Sequence, residues 1–138
     1  MSEAGENIRL QKAVEQYRKK GTDEAYYAIL DAVEECVRHD AEVWINGNPI
    51  PGDPDHVDPA GMEGDDGQFY MMIFSSREAS NHGENQHPML VGVRDMIATV
   101  YGTEHCAGLC IDYAFGHEVP MVTREVLEQI LPEDAVDF

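Results

Sequence analysis

The segment from Gln68 to Phe74 constrains the fold most, because it is apolar at successive positions and therefore on both faces of a strand. Alternation divides its apolar side chains into two sets, Phe69, Met71, Ile73 and Tyr70, Met72, Phe74. A strand of this kind predicts either a sheet covered on both sides or a sheet with one face left open as a groove for a partner. Both interpretations stay open at this level.

Helical periodicity surrounds this strand. Apolar residues at helical spacing predict helices over about 7–20, after Thr22 or Asp23, over about 93–101, and after Thr123. Shorter apolar or β-prone runs at 41–45, 107–112 and 119–122 predict further strands, and 89–93 fits either a strand or a helix. The sequence therefore predicts an α+β or α/β fold, with about four helices on a small mixed sheet of about three to five strands. At 138 residues, we expect a single domain over 1–138.

The stretch from 46 to 67 is rich in proline, glycine and aspartate. So many breakers predict a mobile acidic loop without regular structure. The interval from Asp40 to Asp66 carries eight acidic residues and no Lys or Arg. An EF-hand counted from Asp53 fails, because Val57, Asp58 and Gly64 stand where an acid or Asn, Gly and Glu are needed. A solvated acidic loop, a docking surface for a basic partner, and a metal site of another kind remain as alternatives.

Charge is distributed unevenly along the chain. No lysine follows Lys20, and residues 21–138 carry 24 acidic residues against four arginines. Such a surface repels a nucleic-acid backbone and attracts cationic proteins, so we expect a basic protein partner and no nucleic acid. No run reaches the roughly 18 apolar residues that a membrane helix requires, and the first 20 residues lack the apolar region of a leader. Three cysteines, an odd number, favour a reducing compartment, and we expect a cytoplasmic protein without a membrane partner.

The cysteine pair at 106 and 110 is the best candidate for metal or thiol chemistry. On a strand, Cys106, Gly108 and Cys110 would share one face, which predicts two buried thiols. With His105 beside them, a zinc site or a cysteine nucleophile are the alternatives. No serine-nucleophile motif or phosphate-binding loop is present, and we expect the histidines of the other loops at the surface.

Several short motifs carry a resemblance to a known family. They are the Asp66-Gly67 turn, the strand ending in Phe74-Ser75-Ser76-Arg77-Glu78, a helix over about 93–101, and the strand Gly108-Leu109-Cys110-Ile111-Asp112-Tyr113 before a terminal helix. In this order they resemble the N-terminal domain of the SseB family, named for enhanced serine sensitivity. Its members typically read Phe-Thr-Asp/Ser and Ile-Asn-Pro at the two strand ends. The resemblance covers about 24–131 and implies a small mixed α/β domain with binding roles and no established catalytic residue set.

Together these observations favour a non-enzymatic protein-binding domain, such as an adaptor or an immunity protein that masks a basic partner. We expect no cofactor, and the sequence predicts no particular oligomeric state. The predicted contact residues combine acidic, aromatic and methionine side chains: Trp44, Asp53, Asp55, Asp58, Asp65, Asp66, Tyr70, Met72 and Phe74. The alternative is a metal- or thiol-dependent enzyme, or a small-ligand-binding protein, that uses the Cys106/Cys110/His105 region.

Overall fold

A computed structural model describes residues 5–50, 52–59, 61–64, 66–81, 88–103, 105–114 and 119–130, with the backbone alone at 48–50, 53–59 and 130. The elements follow in the order α1 (Ile8–Lys20), α2 (Asp23–Arg38), β1 (Glu42–Ile50), β2 (Asp53–Pro59), β3 (Gly61–Glu63), β4 (Phe69–Ile73), α3 (Arg77–Ser80), β5 (Pro88–Gly92), α4 (Val93–Gly102), β6 (Cys106–Ile111), β7 (Met121–Thr123) and α5 (Arg124–Ile130). The predicted mixture of helices and strands is confirmed.

The strands form two small sheets rather than the single sheet that was expected. One has the order β2-β1-β5 and the other the order β3-β4-β6-β7. They are joined where Trp44 and Phe74 exchange backbone hydrogen bonds of 3.1 and 2.8 Å. Within the second sheet β4 and β6 run parallel, so the carboxyl ends of these two strands lie side by side.

The connection between the first two helices lies where the sequence indicates, whereas Asn7, predicted to cap α1, makes no side-chain capping bond and donates to the carbonyl of Glu42 instead. Thr22 caps α2, because its hydroxyl accepts a hydrogen bond of 3.2 Å from the amide of Ala25. Gly21 ends α1 with φ of 60°, a left-handed conformation that glycine adopts without strain. The tight connection turns α2 back along α1 and brings Tyr17 near Tyr26.

The prediction that 46–67 contains no regular element is wrong. The segment includes the end of β1 and all of β2 and β3, with Gly52 at φ of 82° in the turn between the first two strands. The prolines of β2, Pro54 and Pro59, are tolerated because β2 lies at the edge of its sheet, where one side of the strand needs no backbone donors. The sequence analysis missed β2 and β3 because it treated every proline and glycine in this segment as incompatible with a strand, although an edge strand accepts proline.

The central strand β4 is covered on both faces. Met71 and Ile73 belong to the main core, which also receives residues from α1, α2, α4 and α5. Met72 and Phe74 belong to a second cluster on the opposite face, with Tyr70 and Cys110. The predicted alternation is therefore confirmed. Met72 and Phe74 are 2% and 0% exposed, so the alternative of a groove open along the whole strand is wrong. Tyr70, at the start of the same face, lines a cleft together with Met62 and Met121.

Candidate functional site

A tyrosine of the central strand and an aspartate of the preceding turn form the first part of the candidate site. The Tyr70 hydroxyl donates a hydrogen bond of 2.8 Å to Oδ2 of Asp66. Oδ1 of the same carboxylate accepts a hydrogen bond of 2.9 Å from the amide of Gln68. The bonds from Gln68 and Tyr70 lower the pKa of Asp66, so this exposed carboxylate is charged at neutral pH. Burial, followed by the bond to Asp66, raises the pKa of Tyr70 to about 12.

Two further tyrosines approach from the helices. The ring centroids of Tyr17 in α1 and Tyr26 in α2 lie 6.0 Å apart, with their planes tilted by 50°. The Tyr26 hydroxyl donates a hydrogen bond of 2.5 Å to the carbonyl oxygen of Met121 in β7. This bond ties the start of α2 to the edge of the second sheet. Burial, and then the neighbouring Tyr17, raise the pKa of Tyr26.

These groups line a cleft of about 670 Å³ between the second sheet and the α1–α2 connection. We call it the tyrosine cleft; its described lining is Tyr17, Gly21, Thr22, Asp23, Tyr26, Met62, Gly64, Asp66, Tyr70, Val119 and Met121. Aromatic rings and thioethers supply its apolar walls, and Asp23 and Asp66 supply carboxylates. Among the described lining residues there is no lysine or arginine.

The nine predicted contact residues are not all brought together. Asp66 and Tyr70 meet in the tyrosine cleft. Met72 and Phe74 are 2% and 0% exposed, so they support the cleft from inside the molecule and do not form its surface. The side chains of the remaining predicted aspartates, Asp53, Asp55, Asp58 and Asp65, lie outside the described residues.

Trp44 lies elsewhere, and its neighbours explain its position. The guanidinium of Arg77 is stacked over its indole ring, 5.4 Å from the ring centroid. The indole nitrogen is buried without a hydrogen-bond partner in the described part of the chain. Gly5 packs against the same ring so closely that a side chain there would come within 2.5 Å of the indole nitrogen. Trp44 is thus part of the packing beneath the N-terminal segment and is separate from the tyrosine cleft.

The cysteines do not form the pair that the sequence suggested. The register of β4 against β6 shifts by one residue, so that Phe69 pairs with Cys106 and Tyr70 with Gly108. This bulge sends Cys106 to the main core and Cys110 to the second cluster, and the prediction of a shared face is wrong. Burial, and then Cys106, raise the pKa of Cys110 to about 12, which holds it as a thiol. In the described part of the chain, no group of three or more His, Cys, Asp or Glu is arranged to hold a metal ion.

A second polar cluster was missed, where the two family motifs end. Asp112 is 6% exposed, and its carboxylate accepts hydrogen bonds from the amide and the hydroxyl of Ser75, at 2.7 and 2.5 Å. Its own amide donates a bond of 2.9 Å to the carbonyl of Ile73, and Arg18 donates to its carbonyl oxygen. The sequence shows that Ser75 and Asp112 each follow an apolar strand, which is a signal for a polar site at a strand end. It does not show that the two strands are parallel neighbours, so the contact between these residues could not be predicted.

Of the cleft lining, the sequence predicted only Asp66 and Tyr70 as contact residues, and the missed residues include Tyr17 and Tyr26. Both tyrosines fall at helical spacing with the apolar residues of their helices, which predicts inward-facing positions and gives no indication that part of each ring lies at a cleft. Their approach to Tyr70 depends on how the helices cross the sheet. A tyrosine at the end of an apolar stripe, close to a turn, is the one available signal, because its polar tip favours the boundary of a core.

The fold and the cleft define a small mixed α/β domain in which no described helix is both long and apolar enough to cross a membrane. The model of the SseB protein N-terminal domain matches residues 10–128, and the chain belongs to that family. The match begins at Leu10, so it takes in most of α1, which the resemblance over about 24–131 had left outside. No curated protein and no solved structure matches the chain.

Proposed function

We propose that this protein is a non-enzymatic protein-binding domain whose tyrosine cleft and surrounding carboxylates bind a basic partner. The observation that carries the proposal is the composition of the cleft, which combines three tyrosines and two methionines with Asp23 and Asp66. Rings and thioethers provide adaptable contact area, while the carboxylates attract positive charge. An adaptor, or an immunity-type protein that masks a basic surface, is the role that fits these properties.

The arginines beyond residue 20 support this proposal because each is held within the chain. Arg38 pairs with Glu34, and Arg94 pairs with Asp40 at 3.0 Å. Arg77 lies over Trp44, and Arg124 lies over the ring of Tyr101 with its centroid 5.2 Å away. Two of the four arginines therefore stack on aromatic rings. The 24 acidic residues of 21–138 far outnumber these four arginines. The resulting negative field favours association with a cationic surface.

The cysteines support both the proposed class and the proposed location. Cys36, Cys106 and Cys110 are all free and buried. Burial raises the pKa of Cys36, more than the nearby Arg9 lowers it, and it also raises that of Cys110. Buried neutral thiols are typical of core packing and not of nucleophiles. Free thiols also agree with a reducing compartment, and the cytoplasm is the location that we propose.

The test is to isolate the partner and measure the salt dependence of its binding. Proteins retained by the immobilised chain at low salt would be identified by mass spectrometry, purified, and titrated against the chain at about 50 and about 500 mM NaCl. We expect the affinity to fall by about tenfold or more over this range, because the added salt screens the attraction between the two surfaces. An affinity that does not change with salt, or a retained set without basic proteins, would contradict the proposal.

A further inference from the structure

We propose that the tyrosine cleft accepts a single arginine side chain of the basic partner, with its guanidinium placed against the tyrosine rings and Asp66. This inference rests on the proposed function and specifies its central contact. The cleft is open to solvent, and its volume of about 670 Å³ exceeds what one side chain fills, so neighbouring residues of a partner segment would enter with it.

Tyr17 and Tyr26 are partly exposed and offer their rings at the cleft, whereas Tyr70 is 4% exposed and acts mainly by holding Asp66. Two of the three hydroxyl groups are committed to bonds within the chain. Tyr26 donates to the carbonyl of Met121, and Tyr70 donates to Asp66. These bonds hold the two rings in fixed orientations before any ligand arrives. An aromatic face attracts a cation through its quadrupole, and a ring that is already fixed loses little conformational entropy on binding.

Asp66 supplies the negative charge in a fixed position. Oδ1 accepts a hydrogen bond from the amide of Gln68 and Oδ2 accepts one from the hydroxyl of Tyr70, and the amide of Asp66 itself also lies against the carboxylate. A carboxylate offers about four lone-pair positions, so both oxygens retain capacity for a further donor. This geometry suits the two parallel N–H groups of a guanidinium, which bind a carboxylate in a bidentate manner.

Among the described lining residues, those at the start of α2 would favour an anion. Thr22 and Asp23 both line the cleft, and the positive end of a helix dipole lies there. The first turn, however, carries Asp23 and Glu24, and the Thr22 hydroxyl already accepts from the amide of Ala25. With Asp66 opposite, an incoming anion would meet carboxylates on two sides, and a cation is the favoured occupant.

Contacts within the chain illustrate how an arginine would bind in the cleft. Arg77 and Arg124 lie over aromatic rings of this protein, with centroid distances of 5.4 and 5.2 Å. A guanidinium is planar and weakly hydrated, so it can stack on a ring while its edge donates to a carboxylate. An ammonium group is compact and strongly hydrated, and it would fill the same position with fewer directed bonds.

The experiment uses a short peptide with one central arginine among glycines, titrated into the full chain and followed by NMR. We expect shift changes at the cleft residues Thr22, Asp23, Gly64 and Tyr70. The same peptide with citrulline, which keeps the shape and loses the charge, should have an affinity lower by at least about tenfold. The affinity of the lysine peptide should be lower by about threefold. The absence of shift changes at the cleft with about 10 mM arginine peptide would overturn the inference.

Matched variants locate the contact. Asp66→Asn should weaken binding of the arginine peptide by about three- to tenfold, whereas Asp31→Asn, an exposed aspartate in the middle of α2 and outside the cleft lining, should change it less than about twofold. Tyr26→Leu should weaken binding by a similar factor, and Tyr27→Leu, its exposed neighbour outside the lining, should not. Circular dichroism would verify that all four variants are folded.

The outcomes separate this inference from the proposed function. If both aspartate variants weaken binding equally, or if citrulline binds as well as arginine, the arginine site is overturned. Equal binding of the lysine peptide would overturn the preference for arginine. In each of these cases the salt-dependent affinity for a purified basic partner is unaffected, and the proposed function fails if that salt dependence is missing or if no basic protein is retained.

Discussion

At the residue scale, Asp112 carries more of the architecture than its position at a strand end suggests. Its φ of 55° is left-handed, a conformation that Asp and Asn tolerate better than other residues with side chains. From that position its carboxylate bonds both the amide and the hydroxyl of Ser75, across two parallel strands. The ends of the two family motifs are thereby joined by one side chain.

Substitution of Asp112 tests this description. Asp112→Ala should lower the free energy of unfolding by about 2 to 4 kcal/mol, because it leaves the buried Ser75 amide unpaired and places alanine at a left-handed φ. Asp112→Asn should cost less than about half as much, since the amide oxygen can still accept from Ser75 and asparagine tolerates the backbone angle. Urea unfolding of both variants would measure the difference. Equal losses would show that the hydrogen bonds to Ser75 matter little.

At the scale of elements, β6 shows how one glycine and one bulge organise a sheet. A Cβ atom at Gly108 would lie 2.0 Å from the carbonyl oxygen of Val122, so only glycine allows β7 to pair at this distance. The register shift beside it separates Cys106 from Cys110. The sequence marked β6 as an apolar strand, but strict alternation could not reveal the extra residue.

Gly108→Ala should therefore displace β7 and lower the free energy of unfolding by about 3 kcal/mol, through strain that the adjoining backbone cannot relieve. Gly102→Ala is the matched control, because a Cβ atom there meets nothing within 4 Å and the residue lies in α4. We expect the control to be neutral or stabilising by about 0.5 kcal/mol. Chemical denaturation of the two variants would provide the comparison, and similar stabilities would contradict the close-approach argument.

At the scale of the whole molecule, a buried tyrosine and a buried cysteine affect how the free energy of unfolding changes at alkaline pH. Tyr70 and Cys110 both have pKa values raised to about 12, above their ordinary values of 10.0 and 9.0. A raised folded-state pKa means that the unfolded chain loses its proton first as pH increases. The stabilisation from these groups is complete below pH 9 to 10 and is lost as the pH rises toward 12.

Tyr70→Phe provides the test. At neutral pH the variant should be less stable by about 1 kcal/mol, because the hydrogen bond to Asp66 is lost. As the pH rises from 10 to 12, the gap between the variant and the original protein should narrow, since phenylalanine has no proton to lose. Tyr27→Phe, at a tyrosine that is 62% exposed, is the control for removal of a hydroxyl. A constant gap across this range, measured by urea unfolding, would contradict the raised pKa.

The sequence by itself determined the features that depend on local patterns. Helical stripes, the two apolar faces of β4, the helix boundary near Thr22 and the surplus of negative charge were all readable, because each depends on neighbouring residues or on composition. It also indicated Asp66 and Tyr70, which are four positions apart and hydrogen-bonded. Their assignment to a contact surface remains a prediction.

Only the tertiary structure decided which distant segments meet. The approach of Tyr17 and Tyr26 to Tyr70, the pairing of Ser75 with Asp112, and the strands within 46–67 all depend on strand order and helix crossing. The physical reason is that an apolar stripe specifies that it must be buried, and not the surface against which it packs. That choice is made by the whole chain, because many weak contacts between residues far apart in sequence must be satisfied together.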